Sequence, residues 1–172
     1  RFASLDHLSK GRSGWNIVTS YYEQEAANFG LDRHPEHSER YRRADEFVRV
    51  VRKLWNSWEP DALVRDKEAG IYFDPGKLHA IEHVGEYYRV RGPLNASRSV
   101  QGEPVLIQAG SSPEGVAFAA KHAEVIFTAQ QTLEQAQRFY ANVKAQVRSA
   151  GRNPDHVHIL PGVSPVLGKS AE

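Results

Sequence analysis

The chain has 172 residues, 40% hydrophobic and 25% charged, which is enough for one domain with a sizeable core and ordinary for a globular protein. Its net charge of +1 gives no electrostatic case for nucleic acid or an anionic membrane, and no apolar run reaches the roughly 20 residues that span a bilayer. Cysteine is absent, which removes disulfides, iron–sulfur clusters and thiol catalysis and is compatible with a reducing, cytoplasmic compartment.

The N-terminus, Arg1-Phe2-Ala3-Ser4, lacks the apolar segment of a signal peptide. Met is absent even at position 1, and the chain stops at Ala171-Glu172, where a helix is about to begin, so the sequence reads as a fragment of a longer protein. Trp15-Asn16-Ile17-Val18-Thr19, after Gly11-Arg12-Ser13-Gly14, predicts a strand. Tyr21 to Phe29 has helical character, and Asp32 to Glu39, with Pro35, marks a loop or helix start. From Arg40 to Trp58 the residues Tyr41, Ala44, Phe47, Val48, Val51, Leu54, Trp55 and Trp58 fall at steps of three and four. That is an amphipathic helix on a core, ended by Pro60, with Trp55 and Trp58 as core residues.

Asp61 to Gly102 is rich in Gly, Pro and charge and only weakly periodic, with Tyr87-Tyr88-Arg89-Val90 as a short strand or hairpin arm. It is too long for an ordinary connection, so it is expected to be an insertion or lid. The pattern then turns regular. Val105–Ala109 reads as a strand, Pro113–His122 as a helix with Pro in its first turn, and Val125–Ala129 as a strand. Leu133 to Ser149 is a helix terminated by Gly151, and Val157 to Leu167 holds another strand, interrupted by Pro161 and Gly162. Alternating strands and helices predict an α/β fold with a parallel sheet; a barrel and an open doubly wound sheet both fit. There is no internal repeat, and no dinucleotide or P-loop glycine motif.

Two segments stand out as candidate sites. Gly110-Ser111-Ser112-Pro113 lies where a strand feeds a helix, and free N–H groups and the helix dipole suit such a place to a phosphate. Ser112 before Pro113 and Glu114 is equally what an ordinary N-cap uses. Further back in the chain, His37-x-x-x-Tyr41 sets a polar aromatic pair on one helical face, able to bond a phosphate or flavin edge, or simply to pack at the surface. Asn16 is polar within an apolar strand and either faces a ligand or satisfies a core hydrogen bond. His34, His37, His79 and His83 give a weak metal signal, because H-E-x-x-H is absent and only Glu82 and Glu86 lie near the last two; no metal is expected. A serine hydrolase is weaker still without a G-x-S-x-G elbow.

Phe2 to Ser9, Gly11 to Ser20, Asn28-Phe29-Gly30, His34-Pro35-Glu36-His37-x-x-Arg40-Tyr41, Gly92-Pro93-Leu94-Asn95, Pro104 to Ser112 and Leu160-Pro161-Gly162 appear in an order that resembles the bacterial-luciferase-like flavin monooxygenases. The subgroup is that of nitrilotriacetate, dibenzothiophene-sulfone and long-chain alkane monooxygenases. The resemblance covers nearly the whole chain. It implies residues 1–172 as the central part of one (β/α)8 TIM barrel, with roughly 61–102 inserted. It also implies reduced FMN, supplied by a separate NAD(P)H:flavin reductase, and O2 activated as a flavin hydroperoxide that oxygenates a small organic substrate. A homo-oligomer, usually a dimer, goes with it. Family FMN positions carry over onto His37, Tyr41 and Ser112 with its neighbour Ser111, and Asn16 matches a strand residue near the isoalloxazine. No catalytic base is identified. The rival readings are a deazaflavin- or flavin-dependent reductase of the same superfold, a flavin-binding protein without turnover, and a metal hydrolase.

Overall fold

The computed structural model describes residues 1–165 and 167–168; the helix expected at Ala171-Glu172 lies outside them. The residues sort into two compact units, Arg1–Val105 and Leu106–Glu172.

The first unit opens on a helix that the apolar pattern does not announce, α1 (Phe2–Ser9). It closes on Lys10 and Gly11, both left-handed at φ 55° and 78°, whose N–H groups bond back to His7 and Asp6. The residue α1 buries most deeply is a carboxylate: Asp6 is 1% exposed. It accepts hydrogen bonds from Ser13 Oγ at 2.8 Å, Gln101 N at 2.8 Å and Gln101 Nε2 at 2.6 Å. Burial pushes its pKa up, but these bonds outweigh burial and hold it well below the usual carboxylate range. One buried charge thus joins α1, the entry to the first strand and the far end of the unit.

Strand β1 (Gly14–Ile17) is shorter than expected, because the chain soon leaves the extended region and turns left-handed at Ser20, φ 63°. Of the expected Tyr21–Phe29 helix only α2 (Glu23–Ala27) forms. Helix α3 (His37–Trp55) begins three residues before the expected start. It also ends before Pro60, because side chains take over its last carbonyls: Asn56 Nδ2 donates to Arg52 O and Ser57 Oγ to Leu54 O. Helix α3 buries Val48 and Val50. Trp15 is ringed by Phe2, Phe47 and Trp55 at centroid distances of 5.6, 6.0 and 5.8 Å, which fastens β1 to both helices. Trp58 is buried, as expected, and Trp55 is half-buried within that aromatic cluster.

The 61–102 segment is ordered into two antiparallel ribbons, β2 (Leu63–Asp66) with β3 (Ile71–Phe73) and β4 (His83–Val84) with β5 (Arg89–Val90). Both are tied down. Trp58 Nε1 donates to Leu94 O at 2.7 Å, and Leu94 N to Ser57 Oγ at 3.0 Å. Glu46, buried on α3, bonds His83 Nε2 and accepts from the N–H groups of Tyr87 and Tyr88, all at 2.9 Å. Burial raises the Glu46 pKa, and the three bonds overcompensate, leaving it at about 2.

The second unit follows its expected pattern closely. Strands β6 (Val105–Gln108), β7 (Val125–Thr128) and β8 (His158–Pro161) alternate with α4 (Pro113–His122) and α5 (Leu133–Ser149). The strands run parallel in sequence order, Ile107 opposite Val125 and Ile126 opposite Ile159. The two helices pack on one another and on one face of the sheet. Strands added in one direction with both crossovers on one side are the build of a barrel wall, whereas a doubly wound sheet reverses direction and covers both faces. The core is Val116, Ala119, Ala120, Ala123, Ile126, Val143, Val147 and Val157, with alanines letting α4 approach closely. Thr132 caps α5 by accepting from Gln135 N, and Gly151, φ 74°, turns the chain out of it.

Candidate functional site

Each unit carries its own candidates. In the second, β6 ends at Gln108 and the chain passes through Ala109-Gly110-Ser111 to Ser112, which caps α4. Ser112 Oγ accepts from Gly115 N at 3.0 Å, Pro113 occupies the first helical position and Glu114 the first turn. The N-cap reading is therefore correct. It does not displace the phosphate reading, because a hydroxyl that accepts through oxygen still has its proton to donate. Ser111 is exposed and Ser112 half-buried. Just upstream, Gln108 is 3% exposed and its side-chain carbonyl, Oε1, is buried without a partner. A buried acceptor left open is costly unless something donates to it. Flavin mononucleotide offers both complements, phosphate oxygens for hydroxyl and N–H donors and imide or ribityl donors for an open carbonyl. The residues of this junction fit that group.

In the first unit, His37 and Tyr41 lie on one face of α3 as their spacing predicts, ring centroids 5.0 Å apart and edge to face at 61°. His37 is exposed and Tyr41 half-buried. Asn16 does not satisfy a core hydrogen bond. It is exposed and lines a cavity of about 640 Å³ that β1, the chain after it, α2 and α3 enclose.

That cavity is what sequence reasoning missed. Its apolar wall includes Trp15, Ile17, Phe29 and Phe47; its polar wall includes Glu25, His34, Arg40, Arg43 and Tyr88. Arg40 Nη1 donates to Ser20 O at 2.6 Å and lies 2.8 Å from His34 Nε2. That nitrogen accepts, so His34 carries its proton on Nδ1. Arg43 Nε donates to the Tyr88 hydroxyl at 3.0 Å. Two polar atoms of the lining are buried and unpartnered, Arg40 Nε and Glu25 Oε2. The signal in the sequence that could have found it is the run Arg40-Tyr41-Arg42-Arg43, since positions 40 and 43 share a helical face.

The histidines do not gather. His79 pairs with Glu59 at 2.7 Å and His83 with Glu46 at 2.9 Å, so the acid that matters to His83 comes from α3 and not from neighbouring Glu82 or Glu86. Among the described residues no group of three metal-ligating side chains forms, and no helix is long and apolar enough to cross a membrane.

The family described as Luciferase-like monooxygenase matches residues 1–172. N-acetyl-S-(2-succino)cysteine monooxygenase of Bacillus subtilis (strain 168) is 56% identical over 100% of this chain and 39% of its own length. Nitrilotriacetate monooxygenase component A of Aminobacter aminovorans is 54% identical over 94% of this chain and 36% of its own. The crystal structure of a long-chain alkane monooxygenase superposes with a TM-score of 0.89 at 45% identity, over 93% of this chain and 37% of that one. The chain thus spans under two fifths of the length of each of these three relatives. The expected fold class, α/β with a parallel sheet of the luciferase-like barrel type, is the one found, and the expected subgroup is the one its relatives occupy.

Proposed function

We propose that this chain, which belongs to the luciferase-like monooxygenase family, is part of an enzyme that uses reduced FMN and O2 to oxygenate a small organic substrate. The observation that carries the reading is the β6–α4 junction: a capped helix N-terminus after a parallel strand, with a serine hydroxyl proton available and an open buried carbonyl at Gln108. When bound, reduced FMN supplies the electrons that activate O2. The chain's own residues bind and orient it. Ser111 and Ser112 are assigned to the phosphate, Tyr41 to the phosphate region, His37 to the phosphate or flavin edge, and Asn16 to the isoalloxazine. These assignments follow the family resemblance residue by residue. We read residues 1–172 as belonging to one barrel domain and 61–102 as its insertion. Its β4–β5 ribbon, held on α3 by Glu46, serves as a cover that keeps water from the reacting centre. A separate NAD(P)H:flavin reductase is the proposed partner, in keeping with a relative named as component A of its monooxygenase. The cytoplasm is the proposed location and a homo-oligomer the proposed state.

The test is titration of the full-length protein with oxidised and chemically reduced FMN, beside His37→Ala and Tyr41→Phe, followed by substrate-dependent oxygen uptake with an added reductase. Tight binding of reduced FMN, weakened in both variants, is expected. Binding of a deazaflavin in preference to FMN, or flavin binding without substrate-dependent oxygen uptake, refutes the monooxygenase assignment.

A further inference from the structure

We propose that the first unit's cavity recognises a small organic acid bearing a second, hydrogen-bond-donating group, its carboxylate held by Arg40 and Arg43 and its donor by Glu25. The cavity has about 640 Å³, the size range of small-molecule sites, and combines one aromatic and aliphatic wall with a few convergent polar groups.

The arginines decide the charge of the occupant. They are three apart on α3 and both line the cavity. Neither forms an ion pair with a carboxylate among the described residues; their partners are a backbone carbonyl, an imidazole nitrogen and a phenol. A guanidinium has five N–H donors. Arg40 uses those on Nη1, which leaves its Nε–Nη2 edge, and Nε is buried with nothing to donate to. That edge is the fork that takes a carboxylate through two parallel hydrogen bonds. Arg43 uses Nε on Tyr88, which leaves its two terminal nitrogens. The Tyr88 ring, 5.7 Å from Arg43 Cζ, further holds that guanidinium in place.

Glu25 decides the rest. Its Oε2 is buried and unpartnered in the same lining, so an occupant that presents only a carboxylate would leave an acceptor open. An amide N–H, hydroxyl or ammonium on the occupant closes it. The remaining wall, Trp15, Ile17, Phe29 and Phe47, suits an aliphatic or thioether chain.

That the occupant is the substrate rests on the monooxygenase reading; that it binds does not. The test is calorimetric titration of the full-length protein with N-acetylmethionine, which has a carboxylate, an amide N–H and a thioether chain. Its methyl ester lacks the charge, 4-(methylthio)butanoic acid lacks the N–H, and inorganic phosphate is a fourth probe. N-acetylmethionine is expected to bind about tenfold more tightly than either relative, one charge-assisted bond being worth at least that factor. Arg43→Met should reduce the preference for acid over ester, and so should Arg40→Lys, which keeps a donor for Ser20 but loses the fork. Equal binding of acid and ester, no effect of Arg43→Met, or tighter binding of phosphate would overturn the proposal. So would displacement of the probe by reduced FMN, which would make the cavity the flavin's own. Failure of reduced FMN to bind at all, with the acid preference intact, would instead remove the monooxygenase reading and leave the acid site standing.

Discussion

Ser112 has two possible duties, and substitution separates them. Its Oγ accepts from Gly115 N at 3.0 Å, so Ser112→Ala loses an N-cap worth about 1 kcal/mol. If the hydroxyl also donates to the FMN phosphate, the same change removes a hydrogen bond to a charged group, worth about 1.5–3 kcal/mol, or roughly a 10- to 150-fold rise in Kd. Ser112→Asp pulls the two apart. Aspartate is as good a cap and its charge favours a helix N-terminus, so stability should stay within about 0.5 kcal/mol of wild type. The same charge repels a phosphate, so reduced-FMN affinity should fall below that of Ser112→Ala. Ser112→Thr keeps both functions and should restore most of the affinity. Chemical denaturation reports the first quantity and anaerobic titration with reduced FMN the second. If Ser112→Asp binds reduced FMN as wild type does, the phosphate assignment is wrong and Ser112 is a cap alone.

Other consequences are more local. Val143, fully buried between α4, α5 and the sheet, loses two methyl groups on substitution by Ala; with the cavity left behind the cost is about 2 kcal/mol, read as a lower denaturation midpoint. Glu46 sets an acid limit. Its pKa falls on folding from an ordinary 4.5 to about 2, so its stabilisation is fully present above pH 4.5 and drains away as pH drops toward 2. Glu46→Gln should therefore flatten the dependence of unfolding midpoint on pH across that window; an unchanged slope would show that other carboxylates govern it.

The second unit was legible because each of its choices is local. Pro113, Thr132 and Gly151 mark helix ends, and the apolar residues of α5 recur at helical steps. The first unit was less so, because its fixed points are buried polar groups paired over long separations. Asp6 meets Gln101, and Glu46 meets His83, Tyr87 and Tyr88. Hydrophobic periodicity ranks such residues as surface, so α1 escaped notice: Leu8 is 84% exposed while Asp6 is buried. The same blindness hid the cavity. His37 and Tyr41 drew attention as chemistry-bearing types, whereas Arg40 and Arg43 look like solvated charge until the loop after β1 folds over them.

The grip of Glu46 on the β4–β5 ribbon has a consequence for how this surface can be re-engineered. A side chain at Gly85 would overlap Glu46 Oε1 and come within 2.8 Å of His83 Nε2, so residues 46 and 85 behave as plug and socket. Tyr88, which braces Arg43, sits on the socket side. A ribbon transplanted from a relative will seat in this scaffold only if it brings a bare position opposite the glutamate. A designer seeking new specificity can then vary its tip freely while the joint keeps the cavity wall in register.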